Sequence, residues 1–220
     1  DFRFRHFSVE DGLSSNSVRA IMQDKYGFLW IGTEEGLNRY DGIMIKSYSI
    51  CPQAAGKYIS SLYGTKKNIW IGTDEGIYIY AYATETFTYF DLTTPNNVRI
   101  TSIVNHILQD KDGNLWFSTN GQGLFRYNLS KNYLEQYEFT SAFGIVASTM
   151  ADSDNQIWAL TNQGESGVYK LNKAENKFEP FGLLYNAGNH HSQALAMLED
   201  SEQTLWLGTW ECGLQKIDKY

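Results

Sequence analysis

The sequence predicts an all-β protein, a β-propeller of four-stranded antiparallel blades with about five blades in its 220 residues. Three observations predict it. Trp30, Trp70, Trp116, Trp158 and Trp206 recur at intervals of 40, 46, 42 and 48 residues, the period of a propeller blade. Each tryptophan follows Leu or Ile and precedes a short run of small residues, a Gly turn and a further apolar strand. Aromatic residues make up 15% of the chain while only three prolines occur, as suits strands rich in Tyr, Phe and Trp.

Within the first unit, residues 18–24 alternate apolar and polar, Asp24 to Gly27 reads as a turn, and residues 28–33 form a second strand. Glu34, Glu35 and Gly36 reverse the chain into a third strand at 37–40, and a fourth follows over 44–50. The same order recurs around the other tryptophans. The units span approximately 1–41, 42–81, 82–128, 129–171 and 172–220, together one propeller domain. Small residues after the tryptophan leave room where neighbouring blades press together, and the tryptophan supplies apolar area between them. Asp24, Asp110, Asp152 and Asp200 each stand six residues before a tryptophan, where a carboxylate can bind its own backbone and hold the turn. The second unit departs from this rule, with Gly64 at the Asp position. Residues 2–7 resemble a fourth strand, whereas the chain stops after a third strand near Ile217, so the N-terminal strand is expected to complete the last blade.

Composition narrows the function classes. A net charge of −7 and a pI near 5.1 give no basic footprint for nucleic acid. No run of about 18 apolar residues suggests a membrane helix. No basic, apolar leader opens the chain at Asp1, and an exported form would have lost one. Cys51 and Cys212 lack metal-ligand spacing, and His190 and His191, as adjacent strand residues, point to opposite faces, so no metal or other cofactor is expected. The other histidines, His6 and His106, fit no catalytic motif. Repeat-equivalent aspartates read as scaffold and not as the paired acids of a glycoside hydrolase, so catalysis is not expected.

Binding is the stronger expectation. In a propeller, the loops from a fourth strand to the next first strand, and from second to third strands, open on one face. That face would gather Ser14 to Ser17, Ser60, Arg99, His190 and His191 from the first set of loops. From the second set it would gather Glu34, Glu35, Asp74, Glu75, Asn120, Gln122, Asn162, Gln163, Trp210 and Glu211. Amides, carboxylates and an aromatic suit sugar hydroxyls and the apolar face of a sugar ring. Trp210, the one tryptophan outside the repeat register, stands where other units place Glu34, Asp74, Asn120 or Asn162. The candidate ligand residues are therefore Trp210, Glu211, Asn120, Gln122, His190, His191, Arg99, Glu35 and Glu75. The bland readings are that the acidic pairs are solvated turns and that Trp210 covers the rim of a neighbouring blade.

The stretches Phe4 to Ser8, Asp11 to Val18, Asp24 to Thr33 and Gly36 to Gly42 together resemble the two-component regulator propeller family, the periplasmic sensor regions of Bacteroides-type hybrid histidine kinases. The resemblance implies a piece of a larger sensor with seven-bladed propellers, a β-sandwich stalk and a membrane helix. It also implies a kinase core, often followed by a DNA-binding response regulator. It further implies periplasmic location, an oligosaccharide ligand, partnership with the remaining propeller and stalk domains, and a homodimer in the full-length sensor. The alternatives are a protein-interaction scaffold and a propeller hydrolase or lyase.

Overall fold

The computed structural model describes residues 4–50, 56–139, 144–161, 167–181, 194–210 and 213–217. They form five antiparallel sheets, divided between two compact units, residues 1–91 and 92–220. The first unit holds sheet one, β1 (Val18–Gln23), β2 (Leu29–Thr33), β3 (Gly36–Tyr40) and β4 (Ile45–Tyr48). It also holds sheet two, β5 (Ile59–Gly64), β6 (Asn68–Thr73), β7 (Gly76–Ala81) and β8 (Thr86–Tyr89). The second unit holds sheet three, β9 (Val104–Gln109), β10 (Leu115–Thr119), β11 (Leu124–Asn128) and β12 (Tyr133–Tyr137). Sheet four comprises β13 (Val146–Ala151), β14 (Ile157–Thr161), β15 (Val168–Asn172) and β16 (Lys177–Pro180), and sheet five β17 (Ala194–Glu199), β18 (Leu205–Thr209) and β19 (Leu214–Ile217). Each sheet is a meander in sequence order, the blade of a propeller. No helix among the described residues is long and apolar enough to cross a membrane.

Of the expected N-terminal strand at 2–7, residues 2 and 3 lie outside the described residues. Residues 4–7 lie outside any strand; Phe7 instead packs its ring on Tyr40 at 5.0 Å, with Arg5 stacked on Phe7 at 4.7 Å. Aromatic packing on sheet one thus takes the place of a hydrogen-bonded ladder, and sheet five has three strands among the described residues.

Alternation along each second strand sends the tryptophan to one face and its apolar neighbours to the other. Trp30 and Leu37 of sheet one meet Ile59, Ile69, Ile71 and Tyr80 of sheet two in one core. Within the second unit, Trp116, Leu124 and Tyr137 of sheet three meet Ile157, Ala159, Tyr169 and Leu171 of sheet four. Trp158, Leu160 and Val168 of sheet four meet Ala194, Leu205 and Leu207 of sheet five in the same manner. The small residue after the tryptophan is needed at Gly32, where an added Cβ would lie 2.5 Å from Ile59 Cγ2.

The four aspartates do more than close turns. Asp24 Oδ1 accepts from the Tyr26 and Phe28 amides at 2.9 and 3.0 Å, while Oδ2 accepts the indole N–H of Trp30 at 2.8 Å. Asp110, Asp152 and Asp200 likewise take the indole N–H of Trp116, Trp158 and Trp206 at 2.8, 3.0 and 2.7 Å. Burying an indole needs such an acceptor. A cation completes the arrangement. Across the ladder from these tryptophans stand Arg39, Arg126, Lys170 and Lys216. The first three lie 5.8, 5.6 and 5.3 Å from the indole centroids. Sheet two lacks both members, with Gly64 for the acid and Ile79 opposite Trp70. Its shorter turn is closed by Thr65, whose hydroxyl receives the Asn68 amide at 3.0 Å.

Candidate functional site at the hairpin end

The second-to-third-strand hairpins share one chemical device. The threonine that ends the second strand donates its hydroxyl to the glycine carbonyl across the turn. Thr33 reaches Gly36, Thr73 reaches Gly76, Thr119 reaches Gly123 and Thr209 reaches Gly213, at 3.0, 3.0, 2.7 and 2.8 Å. In the first three sheets the side chains between are thereby presented on a fixed backbone. A β-bulge near the start of the first strand recurs in all five sheets, at Arg19, Ser60, Asn105, Ala147 and Leu195. Bulges redirect a side chain out of the regular alternation. Arg19 thus pairs with Glu34 of the hairpin, and Asn105 Nδ2 donates to the Val146 carbonyl at 2.9 Å.

In the first unit, a groove of about 220 Å³ opens at this end of sheet one. Ser14, Ser47, Ser49, Glu35 and Lys57 supply its polar lining, and Leu37, Tyr48 and Ile50 its apolar wall. Buried Asn38 sets the serines: its Oδ1 accepts the Ser14 amide at 3.0 Å and the Ser47 hydroxyl at 2.8 Å, and its Nδ2 donates to Ser14 Oγ at 2.8 Å. Lys57 pairs with Glu75, whose carbonyl accepts the Tyr89 hydroxyl at 3.0 Å. That pairing holds the ammonium above its ordinary pKa, and the Arg19 hydrogen bond holds the Glu34 carboxyl below its own. Glu35 and Glu75 are thus linked to one neighbourhood through Lys57.

In the second unit, Gln122 gathers the loop before β9. Its Oε1 accepts the Thr101 and Ser102 amides at 2.8 and 2.9 Å, and its Nε2 donates to the Arg99 carbonyl at 2.9 Å. The Asn120 amide donates to the Ile103 carbonyl at 2.9 Å, bringing Arg99, Asn120 and Gln122 together. Trp210 follows β18 with 61% of its surface exposed. Glu211, His190, His191, Asn162 and Gln163 lie outside the described residues.

His106 departs from its repeat equivalents. It stands opposite Ser118, where the other sheets place Ala20, Ser61, Ser148 and Ala196. Its Nδ1 is buried with no hydrogen-bond partner among the described residues, and burial lowers its pKa, favouring neutral imidazole.

Repeated sheets joined face to face by a tryptophan core, with ordered hairpins at one end, define a β-propeller. The family model of the two component regulator propeller matches residues 12–35 and 97–121. Over 53 residues, 24% of this chain and 4% of the relative, the chain is 49% identical to histidine kinase P4 of Formosa agariphila. An extracellular domain assigned to a hybrid two component system of B. thetaiotaomicron aligns with 98% of this chain at 22% identity and a TM-score of 0.70. One assigned to a one component system of the same organism aligns with 90% at 24% identity and a TM-score of 0.75. The chain spans 35% and 26% of those two structures. Virginiamycin B lyase of Staphylococcus aureus shares the fold at 15% identity and a TM-score of 0.68, over 92% of this chain and 70% of the lyase.

Proposed function

We propose that this propeller is the ligand-sensing module of a hybrid two-component system, detecting an oligosaccharide in the periplasm. It signals to a transmembrane histidine kinase that regulates glycan-utilisation genes. The observation that carries the reading is the groove of Ser14, Ser47, Ser49, Glu35 and Lys57 set against Leu37, Tyr48 and Ile50. Hydroxyl, carboxylate and ammonium groups beside an apolar wall complement one sugar ring, which presents hydroxyls on its rim and C–H groups on its face. The repeat match and the partial identity to a histidine kinase support the signalling context. The remaining propeller and stalk domains, and a second copy of the sensor, are the partners this reading requires. Ligand binding drives signalling by favouring one arrangement of these parts over another, which demands unequal affinity for the two.

A thermal-shift screen against defined oligosaccharides tests it. At a ligand concentration a hundredfold above Kd, linkage gives about 2.7 kcal/mol, a rise of about 5–10 °C for a chain of this size. The expected result is such a rise for one glycan, lost in Glu35→Ala. No shift with any glycan, alongside capture of a protein ligand by the same face, would favour an interaction scaffold.

A further inference from the structure

The opposite end of the sheets, where first strands turn into second strands, differs between two equivalent junctions. Between sheets one and two it is filled by rings. Tyr26 meets Tyr82 at 5.4 Å, Tyr80 meets Tyr82 at 5.9 Å, and Phe28 lies under Arg39 at 4.5 Å. Lys25 covers Tyr26 and Tyr82 at 4.8 and 4.5 Å and donates to the Lys66 carbonyl at 2.7 Å.

Between sheets three and four the same ladder positions carry different chemistry. Counting from the tryptophans, Asp112 replaces Tyr26 and Asn114 replaces Phe28; in the third strand of the next sheet, Leu171 replaces Tyr80 and Lys173 replaces Tyr82. The frame itself is retained. Lys111 still reaches across to the Ser153 carbonyl as Lys25 does to Lys66, and Arg126 still covers Trp116. With the rings gone, a cavity of about 150 Å³ remains, walled by Trp116, Ile157 and Leu171. It has room for several waters or one small solute.

Its polar groups are unequally committed. Asp110 and Asn114 satisfy each other, with the Asn114 amide and Nδ2 donating to the carboxylate at 2.8 and 2.9 Å. Asp112 uses one oxygen, Oδ2, to accept from Asn155 at 2.8 Å. Lys173 forms no ion pair among the described residues. A carboxylate on the turn of sheet three therefore faces the same cavity as an ammonium on the turn of sheet four, with an apolar wall alongside.

We propose that this cavity is a binding site for a small zwitterion of the free α-amino acid class. The ligand ammonium pairs with Asp112, its carboxylate with Lys173, and its side chain packs on Trp116 and Leu171. A solute carrying one charge pairs with only one of these two groups and forgoes the second charge-assisted contact. The inference is independent of the hairpin-end reading, since it uses none of those residues.

Calorimetric titration of the full chain with glycine, alanine and valine, beside acetate and methylammonium as single-charge probes, tests it. Saturable binding of an amino acid is expected, with either single-charge probe weaker by at least about tenfold. Asp112→Tyr with Asn114→Phe restores two of the four rings of the first junction and removes the carboxylate, and should abolish binding while preserving the fold. Lys173→Met, at an exposed position, should weaken it by at least about tenfold and keeps the test valid if the double variant misfolds. Acetate binding as tightly as alanine, binding that survives both substitutions, or no amino-acid binding at millimolar concentration would overturn the proposal.

Discussion

Asp110 supplies the acceptor for two buried backbone and side-chain donors of its turn and for the indole of Trp116. Replacing it with Ala strands those donors, and urea denaturation should show a loss of about 2–3 kcal/mol. Trp116→Ala should cost about 3–5 kcal/mol, as the loss of a buried aromatic does. Asp200 allows a test by pH. Its carboxyl lies below the ordinary value of 3.8, chiefly through the Trp206 indole and next through the Thr204 amide. A lowered folded-state pKa means that this stabilisation is complete above the unfolded value and is lost as pH falls through the folded one. Below about pH 4 the unfolding midpoint should therefore fall more steeply in the wild type than in Asp200→Asn. The acid was legible in the sequence because its distance to the tryptophan is fixed at six residues. The cation was not. Arg39, Arg126, Lys170 and Lys216 follow their tryptophans by 9, 10, 12 and 10 residues, because the hairpins differ in length, and only strand pairing places them opposite the ring.

At the scale of the element, the turn glycines separate into two kinds. Gly42 and Gly123 both have positive φ, 100° and 77°, but a Cβ at Gly42 meets nothing within 4 Å while one at Gly123 would lie 2.3 Å from the Tyr137 carbonyl. Gly42→Ala should cost about 1–2 kcal/mol from backbone strain alone. Gly123→Ala should cost clearly more in the same denaturation experiment and disturb the hairpin that carries Gln122. A parallel contrast holds between sheets: Gly32→Ala forces Ile59 aside, whereas at Gly208 the nearest atom is 3.8 Å away and Ala should be accommodated. Strands and hairpins were legible because alternation and turn residues are local signals. The five bulges were not, since an extra residue in one strand is defined only by the register of its partner. The N-terminal segment read as a strand because Phe and Arg alternate there. Alternation describes side-chain faces and does not supply a ladder partner, and Phe7 found Tyr40 instead.

For the whole molecule, the repeat explains both what is shared and what differs. Leu124 and Val168 are buried by the sheet that follows them, whereas their equivalent in sheet five, Leu214, is 68% exposed, and Leu198 of the same sheet is 64% exposed. That face has the apolar pattern which the preceding sheets use to receive a neighbour. On the proposed reading, a further sheet of the same type covers it in the assembled sensor. In the first unit, the loop position of Glu35 was legible from repeat phase. The groove beside it was not, because it depends on Asn38, a buried polar residue with no repeat signature. The sensing account is tested most directly by amide hydrogen exchange of the chain with and without an oligosaccharide that raises its melting temperature. The account predicts slowed exchange at residues 34–37, 47–50 and 56–57, with the turns around Asp24 and Thr65 unchanged. Protection confined to those opposite turns, or none at the groove despite a thermal shift, would contradict it.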